Sequence, residues 1–210
     1  MTTVIVDYGS GNLHSAAKSF QRMAAETGGE IVVSGDAEAV RRADRIVLPG
    51  VGAFADCRAG LMAVPGMAEV LVERVRGGVP FFGICVGMQL LASVGREFGD
   101  TPGLDLIPGA VEKMAPTDPR AKIPHMGWNA LSVVRDHPVF EGVAEGDHAY
   151  FVHSFHLAVE EPGDLIATVD HAQRITAAVG RDTMVGTQFH PEKSQTTGLR
   201  IIGNFLRWSP

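Results

Sequence analysis

Residues 83–87, GICVG, place Cys85 in a setting that is typical of a nucleophile. A G-x-C-x-G pattern has the spacing of a nucleophile elbow, with sulfur in place of a serine oxygen. Such a nucleophile sits on a strained, sharp turn, and flanking glycines let a strand and a helix pass closely. A helix beginning beside the sulfur would also favour the thiolate. The alternative is a small buried cysteine in an ordinary turn, because free cysteine is among the most buried residue types.

A candidate base and its orienting group follow at His190 and Glu192. A strand is predicted to end just before His190, which places the imidazole at the same sheet edge as Cys85 if the two strands run parallel. Pro191 disfavours helix, so we expect an extended tripeptide in which side chains two residues apart point the same way. Glu192 would then hold one ring nitrogen while the other faces the sulfur, in the manner of a catalytic triad. The alternative is a surface turn with a solvated carboxylate.

Strands and helices alternate four times before residue 100, which predicts the elements that must position these groups. The predicted strands are 4–6, 31–33, 45–48 and 79–82, and the predicted helices are 13–25, 37–42, 67–76 and a segment from 88 to 92. This order predicts an α/β fold with a largely parallel, doubly wound (flavodoxin-like) sheet. Reactive loops of such sheets lie at the carboxyl ends of the strands, where Cys85 and the glycine-rich loop 49–54 would meet.

The pattern changes after residue 99, where prolines interrupt the chain and short segments alternate apolar and polar residues. These segments, including 130–134, 150–155 and 183–189, predict added strands, the first of them antiparallel, before an amphipathic helix over 198–208. No linker-like stretch intervenes, so we expect one domain over residues 1–210.

Composition limits the classes of partner. The 210 residues carry a net charge of −6, which argues against a nucleic-acid-binding surface. No apolar run approaches membrane-spanning length, and the first residues do not resemble a signal peptide. Two cysteines make no disulfide framework, and no metal-binding motif occurs. We therefore expect a cytoplasmic protein with reduced thiols, without a membrane, a nucleic acid or a metal as partner.

With these residues in place, the chain resembles the class I, triad-type glutamine amidotransferases, and among them the glutaminase subunits of imidazole glycerol phosphate synthase. The resemblance runs nearly end to end through six motifs, at residues 7–13 (DYGSGNL), 49–54 (PGVGAF), 83–89 (GICVGMQ), 124–129 (PHMGWN), 150–155 (YFVHSF) and 188–194 (QFHPEKS). The motifs around Cys85 and His190 are common to the whole class. Segments 126–129 and 192–194 narrow the resemblance to the histidine-biosynthesis subunits.

The resemblance implies a glutaminase that needs no cofactor. Cys85 would attack the side-chain amide carbon of L-glutamine, with His190 as base and Glu192 as its orienting group. The backbone N–H groups of Val86 and, after its loop adjusts, Val51 would form the oxyanion hole. The positions implied in holding glutamine are Gly52, Gln89, Glu97, Ser154 and Phe155. Segment 95–99 departs from the family more than the flanking motifs do, and Phe155 stands where tyrosine is also found.

The resemblance also implies a partner in a heterodimer, which would be a (β/α)₈ cyclase subunit. That subunit would use the ammonia with a phosphoribosyl intermediate to yield imidazole glycerol phosphate and an aminoimidazole carboxamide ribotide. The positions that match the interface of the family are Asn12, Met126, Trp128, Tyr150 and Lys193. Core or rim packing is the alternative for the two aromatic residues, and a solvated charge for the lysine.

Three other interpretations follow from the same residues. The chain could serve a different ammonia-using synthase, against which Trp128, Asn129 and Lys193 argue. It could be a non-catalytic regulatory subunit, which the complete triad disfavours. It could also be a thiol hydrolase that acts on other substrates, such as simple esters.

Overall fold

A parallel half-sheet carries Cys85 at its carboxyl edge. The computed structural model describes residues 1–11 and 13–210. Its first elements are β1 (Thr2–Val6), α1 (Leu13–Thr27), β2 (Glu30–Ser34), α2 (Ala37–Arg41), β3 (Arg45–Gly50), α3 (Phe54–Ala63), α4 (Met67–Arg76), β4 (Phe81–Cys85) and α5 (Val86–Gln89). Strand β1 pairs in parallel with β2 and β3, and β3 pairs in parallel with β4. The order β2-β1-β3-β4 is that of a flavodoxin-like sheet, as predicted.

The second half of the chain extends this sheet with antiparallel strands. Its elements are β5 (Val94–Arg96), β6 (Asp100–Pro102), β7 (Gly109–Lys113), β8 (His125–Val133), β9 (His148–His153), β10 (Phe155–Val159), β11 (Leu165–Asp170), β12 (Arg174–Arg181), β13 (Met184–Thr187) and α6 (Gln195–Arg207). In the described residues the main sheet has nine strands, in the order β2-β1-β3-β4-β13-β12-β11-β8-β9. A second sheet has the order β10-β7-β5-β6.

Strand β13 returns the end of the chain to the centre of the main sheet. It pairs in parallel with β4 and antiparallel with β12, so the chain direction of the sheet changes there. Met184 lies opposite Phe81 and Thr187 opposite Ile84. This register brings the residues after β13 to the edge where β4 ends.

A cluster of buried aromatic side chains packs the first and last helices of the chain against the central strand β4. Phe20 of α1, Phe82 of β4 and Phe205 of α6 are fully buried, with ring centroids 5.2 to 6.4 Å apart. Rings at such separations and tilts add a contact energy of about 0.5–1.5 kcal/mol per pair to the burial of their area. The strand that carries Cys85 is therefore held from one face by both α1 and α6.

Three element predictions differ from the structure. The helix predicted over 88–92 is a single turn over Val86–Gln89, and it begins directly at the residue after Cys85. Residues 54–63, left without an element in the prediction, form α3. Its buried residues Phe54, Cys57 and Leu61 are spaced by three and four, as one face of a helix requires. The predicted strand over 150–155 also divides at Ser154, because β9 and β10 join different sheets.

Candidate active site

Cys85 ends β4 in a conformation that only a strained turn imposes. Its φ is 54° and its ψ is −114°, and the residue is 4% exposed. A Cβ on Gly83 would stand 2.8 Å from backbone atoms of Gly87 and Met88, and one on Gly87 would stand 1.8 Å from the Leu48 carbonyl oxygen. Side chains cannot be accommodated at either distance. The two glycines of the G-x-C-x-G pattern therefore allow the strand and the following turn to pass closely, as the sequence predicted.

His190 and Glu192 form a buried pair at the same edge. The Nδ1 atom of His190 lies 2.8 Å from Oε1 of Glu192, and the side chains are 3% and 1% exposed. The expectation of an extended tripeptide was wrong, because Pro191–Lys193 forms a 3₁₀ turn. Proline favours the first position of such a turn, since its fixed φ suits the turn and its missing N–H is not needed there.

Two hydrogen bonds of the Ser194 hydroxyl fix the position of the turn over Pro191–Lys193. Its hydroxyl donates to the His190 carbonyl at 2.7 Å and accepts from the Tyr150 N–H at 3.0 Å. The His190 N–H in turn donates to the Tyr150 carbonyl at 3.0 Å. The imidazole is thus fixed both by its carboxylate partner and by β9.

The environment of His190 favours its protonated form. Burial alone lowers the pKa, but hydrogen bonds to Cys85 and to Glu192, with the charges of both, raise the pKa of His190 to about 10. His190 can therefore hold a proton beside the sulfur of Cys85, and a neighbouring imidazolium is a setting that favours the reactive thiolate form of a cysteine.

A cavity of about 310 Å³ opens in front of Cys85. It brings together nine of the residues that the sequence nominated, which are Val51, Gly52, Cys85, Val86, Gln89, Glu97, Ser154, Phe155 and His190. Pro124, Val152 and His153 complete its lining. The orienting residue Glu192 lies behind His190 and does not line the cavity.

A chain of amides beneath the cavity includes one residue that the sequence reasoning gave no role. Gln89 Nε2 donates to the Phe155 carbonyl at 3.0 Å and to Oε1 of Gln188 at 2.9 Å. Gln188 Nε2 lies 3.6 Å from the sulfur of Cys85. Both N–H groups of Gln89 are thereby used within the protein. Its Oε1 is the atom left to accept a hydrogen bond from a bound molecule.

The Phe155 carbonyl also accepts a hydrogen bond from His153, one of two buried histidines that contact each other. His153 Nδ1 lies 2.9 Å from this oxygen, and His153 Nε2 lies 3.1 Å from Nδ1 of His125. A carbonyl only accepts, so Nδ1 of His153 carries the proton and Nε2 accepts from His125. Burial lowers the pKa of His125 to about 4 and that of His153 to about 3, so both rings are neutral at pH 7. His153 is therefore a hydrogen-bonded structural residue of β9.

The loop that should supply the second oxyanion donor is held by three side chains. The Val51 N–H donates to the Ser10 hydroxyl at 3.1 Å, and the Val51 carbonyl accepts from the Cys57 thiol at 3.2 Å. The Tyr8 hydroxyl donates to the Pro49 carbonyl at 2.7 Å. Burial raises the pKa of both Cys57 and Tyr8, which keeps them protonated as donors. The Val51 N–H is therefore directed at Ser10 and not at the cavity.

The Val86 N–H, which the sequence nominated as the other oxyanion donor, lies at the start of α5. Val86 is the first residue of α5, where a backbone N–H has no acceptor within the helix. Glu97 lies across the cavity, and its Oε2 accepts the Phe54 N–H at the start of α3 at 2.7 Å. Its carboxylate is thus held at the cavity wall by the helix that follows the glycine-rich loop.

Four of the predicted interface residues lie in the described part of the chain, and Asn12 lies outside it. Met126 and Trp128 are apolar yet 63% and 47% exposed. Trp128 packs edge-on against Tyr150 of the neighbouring strand, with centroids 5.9 Å apart. The Lys193 ammonium lies 5.7 Å from the centre of the Tyr150 ring. These four residues, of which Tyr150 is half-buried, form one surface patch, which we call the β8–β9 patch, beside the turn that holds His190.

Comparisons with known proteins agree with this geometry. Residues 4–208 match the family model for class-I glutamine amidotransferases, and the chain belongs to this family. The protein is a glutamine amidotransferase enzyme. A solved glutamine amidotransferase superposes with a TM-score of 0.74 at 19% identity, covering 98% of this chain and 97% of the other. A glutamine amidotransferase from Thermotoga maritima gives 0.67 at 14% identity, with 91% of this chain and 76% of the other covered. These two likenesses concern the fold alone.

Comparison with curated relatives shows to which group within the class-I family the chain belongs. The imidazole glycerol phosphate synthase subunits HisH of Ruegeria pomeroyi and Cereibacter sphaeroides are each 58% identical to the chain, and that of Rhodospirillum rubrum is 54% identical. Each comparison covers 100% of both sequences. Within the class-I family the chain therefore belongs with the HisH subunits, which confirms the narrower resemblance drawn from its motifs.

Proposed function

We propose that Cys85, His190 and Glu192 carry out the hydrolysis of L-glutamine whose ammonia supplies the cyclase subunit in histidine biosynthesis. The hydrolysis and its purpose follow from the family. The assignment to residues is ours, and the observation that carries it is the buried His190–Glu192 pair set against the strained Cys85.

The reaction proceeds in two halves. The Cys85 thiolate attacks the side-chain amide carbon of glutamine, and the oxygen of that amide becomes an oxyanion. As the C–N bond breaks, the His190 imidazolium protonates the departing nitrogen, which leaves as ammonia. A γ-glutamyl thioester remains on Cys85. Water, deprotonated by His190, attacks the thioester; the C–S bond breaks, and glutamate and the thiolate are released.

The oxyanion is stabilised by two backbone N–H groups. Val86 offers the first, at the start of α5. We assign the second to Val51, whose N–H must leave the Ser10 hydroxyl and turn towards the cavity. Loss of one such donor typically lowers kcat by about 10²–10³-fold. The chain without its partner should consequently hydrolyse glutamine slowly.

Hydrogen-bond acceptors on the cavity wall suit the amino-acid end of glutamine. The Gln89 Oε1 atom and the Glu97 carboxylate can both accept from the α-ammonium group, whose three N–H groups need acceptors. Gly52, Ser154 and Phe155 line the same cavity and shape the substrate site. Because both lone pairs of the Phe155 carbonyl are already used by Gln89 and His153, its contribution is one of shape.

The partner is a (β/α)₈ cyclase subunit that binds the β8–β9 patch and Asn12, forming a heterodimer. Exposed Met126 and Trp128 support this placement, because aromatic and methionine side chains are enriched at interfaces. The whole chain, 1–210, acts as one glutaminase domain, since α1 and α6 pack together on β4. None of the described helices is long and apolar enough to cross a membrane. The free thiol that the reaction requires suits the cytoplasm.

Substitution of the nucleophile tests the proposal. In the complex with the cyclase subunit, Cys85→Ala should abolish glutamate release from glutamine yet leave ammonia-driven synthesis unchanged. The reason is that the sulfur is needed to release ammonia from glutamine and not to use ammonia that is supplied in solution. Cys57→Ala, which removes the other thiol together with its hydrogen bond to the Val51 carbonyl, should still hydrolyse glutamine. Loss of both activities in Cys85→Ala would contradict the division of labour, and retained glutamate release would exclude Cys85 as the nucleophile.

A further inference from the structure

The carboxamide of Gln188 lies against the sulfur of Cys85, at the base of the cavity. Its Nε2 is 3.6 Å from the sulfur, within the range of a hydrogen bond to sulfur, and the residue is fully buried. Gln188 directly follows β13 and precedes His190 by two residues, so both project from the segment that β13 delivers to the end of β4. Nothing in the proposed reaction so far uses it.

The orientation of this amide is fixed by its neighbours. Gln89 Nε2 contacts the Phe155 carbonyl, which accepts hydrogen bonds and cannot donate, so the nitrogen of Gln89 must lie on that side. The same nitrogen lies 2.9 Å from Gln188. An inverted Gln188 would set two NH₂ groups against each other. Its oxygen therefore faces Gln89, and its N–H donor faces Cys85.

We propose that Gln188 is a positioning residue that donates a hydrogen bond to the Cys85 sulfur and so stabilises and aims the thiolate. The inference rests on the proposed function, because it concerns the same nucleophile. A donor to sulfur binds the thiolate more strongly than the neutral thioester, since hydrogen bonds to charged groups are the stronger ones.

The thiolate forms at two points of the reaction, and Gln188 serves both. Before attack, the N–H donor joins His190 in favouring the charged sulfur. When water has added to the thioester, the C–S bond breaks and the sulfur leaves with the electron pair. The same donor is then already in place for the departing thiolate.

A purely structural role is the competing explanation, because Gln188 also links β13 to Gln89 and, through it, to β10. A buried amide is costly unless all of its groups are bonded, and an apolar side chain would fill the same space without that cost. The two roles differ in what they predict for the chemistry of the sulfur. A structural amide would alter stability and leave the pH profile of Cys85 reactivity unchanged.

The test uses two near-isosteric variants of the chain, Gln188→Met and Gln188→Glu. Alkylation of Cys85 by iodoacetamide is followed from pH 5 to pH 9 by mass spectrometry of the Cys85 peptide. Gln188→Met removes the donor, so we expect the midpoint of the profile to rise by about one pH unit, equivalent to an about tenfold slower alkylation at lower pH. Gln188→Glu keeps the acceptor for Gln89 and sets a carboxylate by the sulfur, so its midpoint should rise further.

The control is Asn204→Leu, which removes a partly buried amide that bonds the Val139 and Glu141 carbonyls far from Cys85 in the chain. Its profile should match that of the unaltered protein. Alkylation of the buried Cys57 in the same samples reports any general opening of the fold. If Gln188→Met fails to fold by this measure, Gln188→Glu decides the question.

Steady-state kinetics in the complex give a second readout. Gln188→Met should lower kcat for glutamine about tenfold. Gln188→Glu, which keeps the acceptor for Gln89, should also lower kcat but with little change in KM, since the donor acts on the nucleophile and not on the substrate. An unchanged alkylation profile in a folded variant would overturn the inference. A shifted profile in a protein that releases no glutamate from glutamine would support the hydrogen bond from Gln188 to Cys85 and refute the proposed function.

Discussion

At the scale of single residues, the pair of His190 and Glu192 makes a prediction about pH. The pKa of His190 is raised to about 10 in the folded protein, against about 6.5 for an unperturbed imidazole. A raised pKa means that the folded state holds a proton which the unfolded chain releases. The stability from this group is therefore fully present below about pH 6.5 and is lost as the pH rises through about 10.

Comparison with Glu192→Gln isolates this contribution. The variant lacks the carboxylate charge that raises the pKa of His190, so its stability should depend less on alkaline pH. The difference in free energy of unfolding between the unaltered protein and the variant should shrink from pH 6 to pH 10.5, measured by urea denaturation. A difference that stays constant across this range would mean that His190 is not charged in the folded protein.

At the scale of elements, the elbow depends on the close approach of β3 and α5. Gly87→Ala would set a Cβ 1.8 Å from the Leu48 carbonyl oxygen. The backbone would have to move apart to relieve this clash, at a cost in free energy of folding. We expect a loss of about 1–3 kcal/mol in free energy of unfolding and a large loss of glutaminase activity. The matched control is Gly163→Ala, whose Cβ would meet nothing within 4 Å. Equal stability of the two variants would contradict the close approach.

The glycine-rich loop makes a second prediction at this scale. Ser10→Ala removes the acceptor of the Val51 N–H and leaves that donor free to turn towards the cavity. The chain without its partner should then release glutamate from glutamine several-fold faster, up to the about 10²–10³-fold that one oxyanion donor is worth. Ser10→Thr keeps the hydroxyl and should behave as the unaltered protein. A slower Ser10→Ala variant would show that Ser10 supports the donor and does not restrain it.

At the scale of the whole molecule, the main sheet has two different edges. The β8–β9 patch lies at one edge with Met126 and Trp128 exposed, and β2 lies at the other with Val33 exposed. Trp128→Ala should weaken binding of the cyclase subunit by about 30-fold or more, as an aromatic hot spot does, while Cys85 alkylation stays unchanged. Binding is measured by titration calorimetry, with Val33→Ala as the control. An unchanged affinity of the Trp128→Ala variant for the cyclase subunit would show that the interface lies elsewhere on the surface.

The amino-acid pattern alone was enough to predict the fold class and to nominate the residues that we propose as the reactive groups. Alternation of apolar runs and helical segments is a local property, and so are the spacing of G-x-C-x-G and the order of His190, Pro191 and Glu192. These patterns were sufficient because the elbow and the parallel sheet each demand particular residue types at fixed spacings. The family match and the sheet order confirm the fold class.

The support of those groups depends on contacts between segments that are distant in the chain. The donor on Gln188 faces Cys85 because Gln89 and the Phe155 carbonyl, distant in the chain, fix the direction of its amide. The Val51 N–H faces Ser10 because β1 and β3 are neighbours in the sheet. Hydrogen bonds of this kind join residues 41 to 103 positions apart. No local pattern encodes them, because their directions follow from which strands lie side by side.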